Sequence, residues 1–146
     1  MSTYIPEMLR IEVVKRANHV REYCLFAQED SFYSFQIDHI ISLKHGGGTN
    51  LENLALSCMF CNRNKGSDIG SFVDNQRRLF PFFNPRMDKW NDHFKLLAPE
   101  ILPTSNIGIV TVKILDFNAD ERVKERLELM AFGGFPHPNA RQFYDG

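Results

Sequence analysis

Residues 37–66 read IDHIISLKHGGGTNLENLALSCMFCNRNKG, and this stretch decides the fold. Apolar and polar residues alternate over 35–38 and two isoleucines follow, which is typical of a half-buried strand. The three glycines at 46–48 predict a flexible turn. Residues 54–56 form a second short strand candidate, and the polar stretch 61–66 favours a helix. The sequence therefore predicts a strand–strand–helix unit.

The polar residues of this unit combine a carboxylate, an imidazole and amides. Asp38 supplies a hard oxygen ligand, and the neighbouring His39 is a base that titrates near neutral pH. Adjacent side chains of a strand point to opposite faces, so these two share a site only at a strand end or when another element joins them. Asn62, at the start of the predicted helix, is a candidate for that joining residue. Lys65 lies on the same side of the helix, and a helix N-terminus favours phosphate oxygens.

The stretch 37–66 resembles the HNH endonuclease family. Upstream, residues 16–17 and 22–24 are similar to the start of that family's zinc knuckle. Downstream, segments 83–94 and 102–108 resemble the C-terminal extension of small standalone bacterial members. A combination this long is far more specific than a lone Asp-His or Cys-x-x-Cys motif. The implied fold is α+β: a ββα-metal (HNH) hairpin-plus-helix core with a degenerate zinc knuckle and a mostly helical C-terminal extension.

The resemblance implies metal-dependent hydrolysis of phosphodiester bonds in DNA and a role for each polar residue. His39 would be the general base that activates water. Asp38 and Asn62 would hold one divalent cation, and Asn53 would fix the loop between the strands and so orient His39. Asn62 stands where many relatives have the last histidine of the motif. Its oxygen suits Mg²⁺ or Mn²⁺ better than a tight zinc site.

The zinc knuckle departs from the family's two Cys-x-x-Cys pairs. The second pair is complete at Cys58 and Cys61, whereas the first keeps Cys24 but has Arg21 in place of its partner. A closed structural zinc site has four ligands. Either His19 supplies the fourth ligand, or zinc is lost and packing holds the knuckle. The sequence leaves both interpretations open.

Phosphate contacts are expected from only a few basic residues. The chain has 17 Lys and Arg against 18 Asp and Glu, a formal net charge of −1, which excludes a globally basic nucleic-acid binder. Arg63 and Lys65 beside the metal site, and Arg86 in the extension, are the predicted contacts. DNA is the partner that the resemblance implies, and the near-neutral charge predicts that it is bound with weak sequence preference. A protein partner or a homodimer stays an open question.

Length and composition predict one compact domain. The chain has 146 residues, of which 43% are hydrophobic, and this excludes a disordered protein. We expect residues 1–70 to form the nuclease core and residues 71–146 to form an extension packed on it. A membrane-spanning apolar run and a secretory signal are both missing from the sequence, which predicts a cytoplasmic protein.

The extension contains one clear helical pattern, at 119–132. Asn118 is the expected cap, Glu121 stands at the capping-box position, and two glycines follow the helix. Its arginines, Arg122 and Arg126, are interleaved with glutamates, which indicates a solvated face. The pattern at 107–115 fits a strand or a helix equally well.

Two other functions remain compatible with the sequence. A non-catalytic nucleic-acid-binding or scaffolding relative would keep the fold, and the missing cysteine favours it. The joint presence of Asp38, His39, Asn53 and Asn62 argues against it, because a scaffold has no use for all four. An RNA-directed or toxin-type nuclease would use the same site chemistry.

Overall fold

The N-terminal half of the chain contains the predicted strand–strand–helix unit. A computed structural model describes residues 4–27, 35–75 and 77–145. Strand β1 (Gln36–His39) pairs antiparallel with β2 (Leu54–Ser57), and helix α2 (Met59–Lys65) follows directly. The Cys58 sulfur caps α2 by accepting a hydrogen bond from the Cys61 amide at 3.2 Å. The predicted unit is confirmed, with α2 starting two residues earlier than expected.

Helix α1 (Glu7–Arg16) covers the other side of the hairpin. Val13 and Ala17 are fully buried in a small apolar cluster that also contains Leu54 and Leu56 of β2. The Arg16 guanidinium donates to the backbone carbonyls of Leu51 and Leu54 at 2.8 and 2.7 Å. Apolar packing and these two hydrogen bonds together fix α1 against the start of β2.

The extension, in its described part, holds two small hairpins in addition to the expected helices. The hairpins pair β3 (Gly70–Phe72) with β4 (Leu79–Pro81) and β5 (Phe94–Leu97) with β6 (Glu100–Pro103). The helices are α3 (Trp90–His93), α4 (Asn106–Ile114), α5 (Asp120–Met130) and α6 (Arg141–Tyr144). The ambiguous pattern near 107–115 is thus a helix, which Ser105 caps through the Gly108 amide. The α+β fold class is confirmed.

The main apolar core joins the knuckle to the extension. Cys24 and Cys61 belong to the same buried cluster as Trp90, Phe94 and Phe117. The Trp90 indole donates to the backbone carbonyl of the knuckle at Tyr23, with a distance of 3.0 Å. The extension therefore completes a core that the knuckle and hairpin leave unfinished.

Helix α5 differs from the prediction in its cap and in its buried face. Asn118 does not cap it; its amide group pairs instead with the backbone N–H and carbonyl of Ile101. Arg122 and Arg126 were expected in solvent and are buried. Both guanidiniums donate to backbone carbonyls and lie over aromatic rings, contacts that replace hydration.

Candidate active site

A cleft of about 600 Å³ brings together the residues expected to do the chemistry. Asp38 and His39 reach it from the end of β1, and Asn62 reaches it from α2. The cleft also contains the basic side chains of Arg10, from α1, and Lys44, from the loop between the strands. Carboxylate, imidazole, amide and positive charge therefore face one space.

Asp38 is buried and held by two donors. The Tyr23 hydroxyl donates to its Oδ2 at 2.7 Å, and the Lys65 ammonium lies 3.3 Å from Oδ1 and 3.1 Å from Oδ2. Burial raises the pKa of the Asp38 carboxyl, while Lys65 and Tyr23 oppose that rise. The carboxylate is thus fixed in one orientation, and because each oxygen has two lone pairs these contacts do not use its full acceptor capacity.

Lys65 is an internal residue, and the prediction that it contacts phosphate is wrong. Its side chain is 1% exposed. Besides Asp38, its ammonium donates to the backbone carbonyls of His39 and Ile40, both at 3.0 Å. An ammonium has three protons, so these partners use its full donor capacity. Lys65 therefore clamps the end of β1 onto α2.

His39 is half-buried at the edge of the cleft. Its Nε2 lies 2.9 Å from the Thr49 hydroxyl, in the loop between the strands. Burial lowers the pKa of His39, and Lys65 adds to that effect, while Asp38 opposes it. The lowered pKa favours the neutral ring, in which one of the two nitrogens carries a lone pair.

Asn53 ties this loop to the end of β1. Its Oδ1 accepts from the Ile41 amide at 2.8 Å, and its Nδ2 donates to the carbonyls of Ile41 and Gly48, both at 2.9 Å. Gly47 packs so closely that a Cβ there would lie 1.8 Å from the Ile41 oxygen. Thr49 directly follows Gly48, so the hydrogen bonds of Asn53 also fix the residue that contacts His39.

Residues 22–68 match the family model described as HNH endonuclease. The chain carries an HNH endonuclease domain. HNH proteins are metal-dependent endonucleases, so the domain implies nuclease chemistry on a nucleic-acid substrate. Comparison with curated proteins and with solved structures gave no match. Among the described residues, helices long and apolar enough to cross a membrane are absent.

The basic side chains around the HNH cleft differ from those predicted. Arg86 does not face it: its guanidinium pairs with the buried carboxylate of Glu22, so that prediction is also wrong. Arg63 is exposed and lies 5.3 Å from the centre of the Phe60 ring. Arg10 and Lys44 line the cleft instead. Arg10 lies far from the motif in sequence, and only the packing of α1 brings it there.

The three cysteines of the HNH domain form one cluster. The sulfurs of Cys24, Cys58 and Cys61 lie within 4.8 Å of one another, and all three residues are buried. They could form a zinc site with three sulfur ligands. His19 is exposed and lies outside this cluster, which favours the interpretation without a His19 ligand over the one in which it supplies the fourth ligand. Of the described His, Cys, Asp and Glu residues, only these three converge in this way.

The thiols of the cluster interact with each other and with Arg122 of α5. Burial works to raise the pKa of Cys24, but hydrogen bonds with Cys58 and Cys61 and the charge of Arg122 outweigh it, so that pKa falls well below its usual range. The hydrogen bond with Cys24 raises the pKa of Cys58 to about 11. Hydrogen bonds within the cluster therefore move the pKa values of Cys24 and Cys58 in opposite directions.

Proposed function

We propose that the HNH domain hydrolyses phosphodiester bonds of DNA, with His39 as general base and with Asp38 and Asn62 as ligands of one Mg²⁺ or Mn²⁺ ion. The observation that carries this proposal is the single cleft shared by Asp38, His39 and Asn62. Two cationic side chains at the same cleft, Arg10 and Lys44, support a polyanionic substrate.

The donor set fits a hard divalent cation. Asp38 offers carboxylate oxygens and Asn62 an amide oxygen, both of which Mg²⁺ and Mn²⁺ prefer over softer ligands. None of the described residues hydrogen-bonds the Asn62 side chain, so its oxygen is free to act as a ligand. Such an ion, when bound, neutralises the charge that develops on the phosphate and on the leaving oxygen.

The proposed role of His39 is to accept a proton from the attacking water. In the tautomer in which Nε2–H donates to the Thr49 hydroxyl, Nδ1 carries the lone pair that accepts this proton. Asn53 fixes the loop that carries Thr49, so it acts as a positioning residue for the imidazole. Arg10 and Lys44 bind phosphate oxygens and hold the substrate in the cleft.

Incubation with supercoiled plasmid DNA tests the proposal directly. We expect nicked or linear product with Mg²⁺ or Mn²⁺ and none with a chelator. A single-stranded RNA of similar length serves as the parallel substrate. Cleavage of RNA alone would assign the site to an RNA-directed nuclease, and cleavage of neither would favour a non-catalytic relative.

Asn62→Ala is expected to raise the metal concentration needed for half-maximal cleavage by a factor of about 10 to 100, the range typical of damage to a metal site. Asn62→His should have a smaller effect and shift the preference toward softer ions, since imidazole suits them. Rates are measured across a Mg²⁺ and a Mn²⁺ titration. The matched control is Asn75→Ala, an exposed asparagine outside the cleft. A wild-type titration curve for Asn62→Ala would place the second ligand elsewhere.

DNA binding is expected to depend weakly on salt. With two to four phosphate contacts, the slope of log affinity against log salt should be about −2 to −4. Arg10→Ala and Lys44→Ala should each make the slope shallower by about 0.9. The measurement is a fluorescence-anisotropy titration of duplex DNA with chelator present, and Lys124→Ala, on the exposed face of α5, is the control. Unchanged slopes in both cleft variants would remove these residues from the DNA contact.

A further inference from the structure

Arg122 directs a buried guanidinium at the cysteine cluster. Its Nη2 lies 3.1 Å from the sulfur of Cys61 and 3.4 Å from that of Cys58. Its Nη1 donates to the carbonyls of Leu115 and Asp116 at 2.8 and 3.1 Å, where α4 ends. The residue is 2% exposed. Arg122 therefore links the end of α4, in the extension, to the cysteines of the HNH domain.

Aromatic rings complete the environment of this guanidinium. Its central carbon lies 5.7 Å from the centre of the Phe60 ring and 5.9 Å from that of Phe117. Rings stabilise a cation over their faces but do not neutralise it. With two carbonyls and two rings around it, the side chain is held in one position beside the sulfurs.

A buried guanidinium needs hydrogen-bond acceptors or an anion beside it, because isolated charges in a protein interior are costly. Among the described residues, no carboxylate forms an ion pair with Arg122. The groups that its Nη2 contacts are the sulfurs of Cys58 and Cys61, which share their cluster with Cys24. The sulfurs of this cluster are therefore the partners that the structure offers to its Nη2.

The same geometry bears on zinc. Three sulfurs supply three of the four ligands of a closed zinc site, and among the described residues no fourth His, Cys, Asp or Glu side chain joins them. Arg122 cannot be the fourth ligand, since a guanidinium has no lone pair to donate. It does supply what a metal ion would otherwise supply, a fixed positive charge against the sulfurs.

We propose that Arg122 is the structural cation of the Cys24, Cys58 and Cys61 cluster, so that the knuckle of this chain keeps its fold without zinc. The metal has been replaced by a side chain from α5 of the extension. This role is independent of the nuclease activity, and its test does not use cleavage.

The test compares zinc content and thermal unfolding of wild type with two buried-arginine variants. Arg126 is the matched control: it lies one turn along α5, is fully buried and donates to the carbonyls of Pro99 and Phe117 but hydrogen-bonds no sulfur. Wild type should contain well under one zinc per chain, and a chelator should move its melting temperature by less than about 1 °C. Arg122→Met and Arg126→Met should both melt lower than wild type.

Added zinc should separate the two variants. It should raise the melting temperature of Arg122→Met by about 5 °C or more, because a metal ion restores the missing cation on the three sulfurs. Wild type and Arg126→Met should not respond. Arg122→Lys keeps a positive charge at the position and should also show little response.

Two results would overturn the proposal. One is a wild-type protein that holds a stoichiometric zinc ion and loses several degrees of melting temperature on chelation. The other is an equal zinc response of Arg122→Met and Arg126→Met. If Arg122→Met does not fold, the wild-type chelation experiment and the zinc response of Arg122→Lys still decide the matter.

Discussion

His39→Ala is expected to lower the rate of plasmid cleavage by a factor of about 10² to 10⁴, the usual contribution of a positioned general base. The loss should appear at saturating Mg²⁺ or Mn²⁺, because His39 is proposed to move a proton and not to hold the ion. Folding should be retained, since the side chain is only half-buried and has one side-chain hydrogen bond, to Thr49. Initial rates and a melting curve on the same preparation check both expectations.

The matched control for this prediction is His45→Ala. His45 lies in the loop between β1 and β2, the loop that also carries Thr49. It is exposed and does not line the cleft. Its replacement should leave cleavage within about twofold of wild type, as expected for a surface substitution away from the site. Equal activity of His39→Ala and His45→Ala would remove His39 from the role of base.

Sequence alone predicted the hairpin, α2 and the residues that meet in the cleft, because these features are local. Asp38, His39 and Asn62 lie within one short strand–strand–helix unit, whose pairing register determines which side chains can meet. The contacts of Asn53 are also local in sequence, because its side chain hydrogen-bonds the backbone of Ile41 and Gly48 in the preceding loop.

The side chains that sequence placed wrongly depend on contacts between distant segments. Arg86 was expected on phosphate, but its partner is Glu22, a carboxylate buried between the knuckle and β2. Arg122 was expected in solvent because its charged neighbours alternate in sign. Nothing in that pattern indicates that sulfurs, carbonyls and rings from two other segments converge on it. Spacing predicts which face of an element a residue occupies, and tertiary packing decides what that face meets.

Lys65→Met is expected to destabilise the protein by about 3–5 kcal/mol, the cost of leaving one partner of a buried ion pair alone. The substitution keeps most of the apolar volume but removes the ammonium from Asp38 and from the carbonyls of His39 and Ile40. The Asp38 carboxylate would then keep only the Tyr23 hydroxyl as a donor, and the two carbonyls would lose the hydrogen bond from Lys65. Urea unfolding followed by circular dichroism measures the difference.

Arg63→Met, two positions earlier on α2, is the matched control, because its side chain is exposed and its loss should cost less than about 0.5 kcal/mol. Asp38→Asn combined with Lys65→Met should be more stable than Lys65→Met alone, since it removes the carboxylate that the lysine neutralises. A double variant as unstable as the single one would mean that the carbonyl contacts of Lys65, and not its charge, fix α2 on the strand. A small effect of Lys65→Met itself would mean that these buried contacts contribute little to the stability of the fold.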